Sequence, residues 1–403
     1  MIDFEFTAEQ SALQQKVRDY ARKEIVPRVR KIDTEKKIPA PVLEGLAGLG
    51  LLGMTASTTH GGLGADPVTV GIVAEELAGA DISCSIPTFF LVEAAWGYIL
   101  SKYGWEERKR EILAPVTKGK AFLGIAVTEP GGGSDVAAVK TTAVREGDAY
   151  RVNGSKLHIS GVDEVMHRME EGGGCVTLVK TDESKGVHGM SLLYIPLKNT
   201  EGVSFSLLEE WGRRGISAGA LAFSDVKVPA DYLIGEENKG FFILMEGFDY
   251  ARAIISLVCC GSAMSALEQS MEYIKERHAF GNPIARFEGV QFRLADNWAR
   301  LEAARLLGYK ALWMYGRQQA GGPYSRFDVT RACAEAKLLA APLAFEAIND
   351  AIQWHGAFGY TVKCPLELAL KGVRSYFWAE GAIEIMRIIV ARELLGKEFT
   401  AYR

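Results

Sequence analysis

The chain has 403 residues, 48% hydrophobic and 24% charged, with a net charge of −4 at pH 7. That length implies roughly two to three domains. The weakly acidic balance without a basic block excludes an electrostatically driven nucleic-acid binder, and no apolar run reaches the ~20 residues of a membrane span. Cys84, Cys175, Cys259, Cys260, Cys333 and Cys364 form no CxxC and no zinc-site spacing, so neither a disulfide framework nor a metal centre is expected. The opening "MIDFEFTAEQ" lacks a basic n-region followed by an apolar h-region, which points to a cytoplasmic protein.

Residues 1–120 read as a helical domain. Leu13, Val17, Tyr20, Ala21 and Ile25 form one apolar stripe, and Thr7 with Gln10 is a capping box that opens it. "PAPVLEGLAGLGLLG" and "DPVTVGIVAEELAGA" read as further helices, and "CSIPTFFLVEAAWGYILSKYG" as a strongly apolar one. Pro87 inside that last helix is expected to remove a backbone donor and bend it. Over residues 121–233 the period changes. Short β-branched and aromatic runs, punctuated by Gly, Asn, Asp and Ser, predict an antiparallel barrel or sandwich, since no helices intervene. Residues 234–403 return to long amphipathic runs and predict a four-helix bundle. The fold class is therefore α+β multidomain.

Three chemical motifs fail on context. "GISAG", with Ser217, matches a nucleophile elbow, but a strand-like run follows where a helix is required. No GxGxxG lies between a strand and a helix, and there is no P-loop. What survives sits at the seams between zones. "TEPGGGSDV" packs glycines and hydroxyls into one loop, where backbone can approach a ligand closely. "FDYAR" places Asp249 and Arg252 on one helical turn. In "SYFWAEGAIEI" one glutamate, Glu380, sits between an aromatic cluster and a glycine. A carboxylate withdrawn from water is costly unless paired or used.

In order along the chain, "HGGLGADPVTVGIVAEELA", "TEPGGGSD", "NGSKLHIS", "FSDVKVP", "GEENKGF", "FDYAR", "ERHAFG", "HGAFGY" and "WAEGAIEI" resemble the acyl-CoA dehydrogenase family. The resemblance implies an FAD enzyme that converts an acyl-CoA thioester to its 2,3-enoyl thioester. A base takes the α-proton and flavin N5 accepts the β-hydride. A carboxylate does this only if preorganised donors polarise the thioester carbonyl and desolvation raises its own basicity. Glu380 falls on the family's base position. The family's other base position, just before the arginine of "FDYAR", is Ala251 here and cannot take a proton.

By the same resemblance, Ala126, Val127 and Thr128 meet the isoalloxazine, Ser134 lies between flavin and CoA, and Ser160 meets the flavin edge. His158 replaces the usual Trp beside the flavin. Arg277 and Phe280, with Gln353 and Gly356, reach the FAD of a neighbouring subunit, which implies a homotetramer built as a dimer of dimers. Ala382 and Glu384 replace a common Thr and Gln near the FAD phosphates, and Glu288 replaces another Gln. These departures leave room for a mixed assembly or a catalytically silent partner subunit. Substrate or CoA contacts are expected at Phe89, Glu93, Ser134, Asp249, Arg252, Tyr376 and Gly381. The aromatics suggest a cyclic or aromatic acyl group, and Arg213 with Arg214 a dicarboxylic one. An electron-transfer flavoprotein is the implied electron acceptor. A reductase, oxidase or lyase of the same fold is the alternative.

Overall fold

The computed structural model describes residues 5–401. Its first part holds α1 (Ala8–Tyr20), α2 (Val29–Glu35), α3 (Ala40–Gly48), α4 (Pro67–Ala80), α5 (Ser85–Tyr103) and α6 (Glu106–Thr117). The Thr7–Gln10 capping box is formed: Gln10 N–H donates to Thr7 Oγ1 at 3.2 Å, and Thr7 N–H to Gln10 Oε1 at 3.1 Å. Helix α5 starts at Ser85, so Pro87 stands in the first turn, not in the interior. N–H groups there have no intrahelical acceptor, so the proline costs no hydrogen bond and α5 needs no bend.

Strands β1 (Ala121–Ala126), β2 (Thr142–Glu146), β3 (Ala149–Ser160), β4 (Gly172–Lys180), β5 (Met190–Pro196), β6 (Val203–Leu208), β7 (Ala218–Pro229) and β8 (Leu233–Ile234) form one sheet. Its pairing is mainly antiparallel, with two exceptions the sequence pattern did not indicate: β1 runs parallel to β4, from Ala121 opposite Gly172 to Ala126 opposite Thr177, and β2 meets β4 in parallel at Thr142 and Lys180. Parallel pairing needs a long crossover. Here the β2–β3 hairpin supplies it in place of a helix.

The chain then forms α7 (Gly240–Glu276), α8 (Glu288–Gln319), α9 (Arg326–Trp354), α10 (Leu366–Arg374) and α11 (Ile383–Leu395). A small hairpin, β9 (His278–Ala279) with β10 (Asn282–Pro283), joins α7 to α8. Helix α7 is long and apolar enough to cross a membrane by length and composition, yet most of its apolar stretch is buried inside the fold. One continuous apolar cluster connects all three parts, with Leu46, Phe122, Val176, Leu257, Ala336 and Tyr376 among its members. The sheet and the two helical parts are thus fixed against each other, and a cavity opens where they meet.

Candidate active site

Helix α10 tightens into a 3-10 turn at Ser375–Phe377, and the chain then reverses before α11. The reversal is made by two left-handed residues, Glu380 (φ 55°) and Gly381 (φ 103°). Such a conformation is strained for a glutamate, so it needs outside support. Two buried cations provide it. Lys337 of α9, fully buried, donates through Nζ to the carbonyl oxygens of Ala379 and Gly381 on either side of Glu380. Arg252 of α7 donates through Nε to the carbonyl of Glu380 itself at 2.9 Å. Arg252 is held in turn by Asp249 at 2.9 Å, whose other oxygen accepts from Thr330 at 2.6 Å.

The Glu380 carboxylate lines a cavity of about 920 Å³ and has neither a hydrogen bond nor an ion pair with any described residue. Its desolvation pushes the pKa upward, while the charges of Lys337, Arg252 and Arg213 hold it back. Desolvation pulls Lys337 the other way, toward the neutral amine. Nearby backbone groups are mostly spent: Ala379 N–H donates to Ser375 at 3.2 Å and Gly381 N–H to Trp378 at 3.1 Å. The N–H of Glu380 makes no backbone hydrogen bond of this kind.

The cavity brings together Val127, Thr128, Ser134, His158 and Ser160 from the sheet side. Facing them are Arg252, Tyr376, Glu380, Gly381 and Ala382 from the helical side. His158 sits at an irregularity between β3 and β7, with φ 59°, and lines the cavity there. The loop after β1 is anchored from below. Glu129 accepts from Lys140 N–H (2.7 Å), Thr141 N–H (3.0 Å), Thr141 Oγ1 (2.6 Å) and the fully buried Lys156 (2.9 Å). The "TEP" and "NGSK" stretches are therefore two halves of one buried ion pair. Ser217, the serine of "GISAG", is tied to Glu164 through its hydroxyl and its N–H, and β7 follows it. It is not placed as a nucleophile.

Other expected residues lie off the cavity wall. Ala126 is buried behind it in β1. The Phe89 ring packs on Phe122 at 4.7 Å between centroids, in the core. Glu93 is also buried, with neither carboxylate oxygen hydrogen-bonded among the described residues. Asp249 acts on the site only through Arg252. Arg277, Phe280, Gln353, Gly356, Glu288 and Glu384 are exposed, with Phe280 at the tip of the β9–β10 turn (φ 51°) and 95% exposed. Glu384 pairs with Arg387 at 3.1 Å. Lys337 escaped the sequence reading, although a lone lysine in "ACAEAKLLAAPLA" was a visible signal. The two arginines of "WGRRG" also part company: Arg214 faces Asp33 at 3.6 Å, while Arg213 is buried on the cavity wall.

Models of the acyl-CoA dehydrogenase N-terminal, middle and C-terminal domains match residues 7–120, 124–226 and 238–395. The chain belongs to the acyl-CoA dehydrogenase family, oxidoreductases that act on CH–CH groups and use FAD. It is 35% identical to the acryloyl-CoA reductase (NADH) of Anaerotignum propionicum, over 98% of this chain and 97% of that one. The butyryl-CoA dehydrogenase of Megasphaera elsdenii superposes with a TM-score of 0.89 at 28% identity, over 98% and 100% of the two chains. A chain from the structure of the electron transferring flavoprotein of Acidaminococcus fermentans does so with a TM-score of 0.89 at 32% identity, over 98% and 100%.

The cavity fits that cofactor. The hydroxyls of Thr128, Ser134 and Ser160 line it and have no hydrogen-bond partner among the described residues. Beside them, a Cβ added at Gly131 or Gly132 would meet nothing within 4 Å. Unspent donors along a sheet wall suit a polar ring edge and its side chain.

Proposed function

We propose that this protein dehydrogenates an acyl-CoA thioester between Cα and Cβ, with Glu380 as the base that removes the α-proton. The observation that carries this reading is the Glu380 carboxylate, which faces the cavity unpaired among the described residues, while Lys337, Arg252 and Arg213 are each bound to other groups. Lys337 and Arg252 fix the backbone on both sides of the base and lower the cost of its charge. Neither blocks its oxygens. Desolvation makes the carboxylate more basic than one in water, as abstraction of a carbon-bound proton requires. The Glu380 N–H supports a role as one donor to the thioester carbonyl, where charge develops as the proton leaves. Bound FAD supplies the acceptor for the hydride leaving Cβ. Val127, Thr128, Ser134, His158 and Ser160 would hold the flavin from the sheet side, and Tyr376 with Gly381 would flank the acyl group.

The exposed Phe280 turn, Gln353 and Gly356 support a shared cofactor site in a homotetramer, or in a mixed assembly. The buried setting of α7 supports a cytoplasmic protein over a membrane-bound one. The electron transferring flavoprotein relative supports such a flavoprotein as electron acceptor. The acryloyl-CoA reductase relative favours a second reading in which the same site runs in reverse and Glu380 gives its proton to Cα. Anaerobic titration of the FAD-loaded protein with acyl-CoA thioesters tests the proposal. Wild type should bleach, and Glu380→Gln should keep its flavin spectrum while bleaching ~10²–10⁴-fold more slowly. Unchanged bleaching would move the base elsewhere, and a protein that takes up no FAD would point to a silent partner subunit.

A further inference from the structure

We propose that Arg213 is an anion-recognition group of the acyl pocket, and that the acyl chain carries a second carboxylate. The inference rests on the acyl-CoA reading above and narrows it to dicarboxylic monothioesters.

Arg213 lies in the loop between β6 and β7 and is only 8% exposed. Its backbone is left-handed, with φ 55°, although it is not a glycine. The loop is fixed from two sides. Gly215 N–H donates to Ser85 Oγ at 3.0 Å, at the start of α5. On the other side, a Cβ at Gly212 would lie 2.6 Å from the Lys371 carbonyl oxygen, so only glycine permits this approach. The strained arginine is thus directed by a frame and not by its own preference.

The guanidinium is poorly satisfied where it sits. It reaches Glu210 through Nη2 at 3.2 Å, while its Nε is sealed from solvent without an acceptor among the described residues. Five N–H donors in a planar fork match a carboxylate two at a time, and burying such a group with donors unspent is destabilising. Arg213 shares the cavity wall with Thr88 and Tyr376, whose hydroxyls lie 2.7 Å apart, and with Glu380. Leu91 and Val92 supply the apolar surface between them. An acyl chain with its α-carbon at Glu380 and its far carboxylate at Arg213 uses all of these groups. A neutral chain leaves the Arg213 Nε donor unspent.

The test pairs thioesters of equal length with and without the terminal carboxylate, butyryl-CoA against succinyl-CoA and hexanoyl-CoA against adipoyl-CoA. Both binding by calorimetry and anaerobic bleaching are measured on the FAD-loaded protein. Wild type should favour the carboxylated member of a pair by about 10- to 100-fold. In Arg213→Met that ratio should collapse toward unity, with Arg213→Lys between them. Equal or better binding of the uncarboxylated thioesters by wild type would overturn the proposal, and so would a ratio unmoved in Arg213→Met. If Arg213→Met does not fold, the wild-type ratios decide alone. A carboxylate preference in binding without bleaching would support this site while sinking the dehydrogenation reading.

Discussion

Arg252 donates its Nε–H to the backbone carbonyl of Glu380 at 2.9 Å and leaves the carboxylate of that residue unpaired. A buried arginine beside a half-buried glutamate would ordinarily form a side-chain ion pair. Here the guanidinium is turned away by Asp249, and its charge acts on the base only through space.

Arg252→Met should therefore damage the fold as well as the chemistry. It strands Asp249, which is almost fully buried and keeps only Thr330 as a hydrogen-bond partner among the described residues. Breaking a buried pair in this way costs about 3–5 kcal/mol. Urea unfolding of the variant measures it, and a loss within experimental scatter would contradict the structural role assigned to the pair.

The rate should rise with pH along an acid limb set by Glu380, because only the ionised carboxylate accepts the α-proton. Desolvation places that limb above the ordinary glutamate range, and Lys337 holds it down. Lys337→Met removes a cation that favours the ionised form, so the limb should move to higher pH. The kcat/KM profile of the variant checks this. A slower enzyme with an unmoved limb would reduce Lys337 to a backbone support.

Glu129 predicts an acid-dependent stability of the opposite kind. Burial pushes its pKa up, but the Thr141 hydroxyl, Lys156 and the Lys140 N–H outweigh burial and hold it below the ordinary range. A depressed carboxylate contributes stability above its unfolded pKa and loses it as pH falls through the folded value. Denaturant unfolding of wild type should thus weaken from the ordinary glutamate range downward. In Glu129→Gln this part of the pH slope should vanish, at the cost of a lower plateau near neutrality.

Phe89→Ala should separate core from pocket. Phe89 is fully buried against Phe122 and off the cavity wall, so truncation should cost about 3–5 kcal/mol of stability. The preference order among acyl-CoAs should stay as in wild type. A changed order in a bleaching panel would restore Phe89 to the substrate site.

These residues also show what was legible in the sequence. The α1 cap, the apolar α5 and most of the sheet's strands followed from local periodicity, because each is decided within a few residues. Glu380 stood out because a charge among Tyr376, Phe377 and Trp378 is locally anomalous. Pairings between distant segments carried no such signal. Glu129 and Lys156, or Lys337 and the carbonyls beside Glu380, meet only through the tertiary fold. The parallel β1–β4 pair was hidden because the hairpin between them looks like ordinary antiparallel sequence. Phe89 and Glu93 were misplaced toward the cavity because α5 is apolar nearly all round, so no stripe marks its cavity face.

The left-handed backbone of Glu380 sets stability against activity at a single position. With φ at 55° and a carboxylate lacking any partner among the described residues, residue 380 is a place where the native state sits above its attainable minimum. Glycine there would relax the turn and remove the desolvated charge together, and Glu380→Gly should outlast wild type on heating while catalysing nothing. Selection for a hardier fold alone would discard this side chain first.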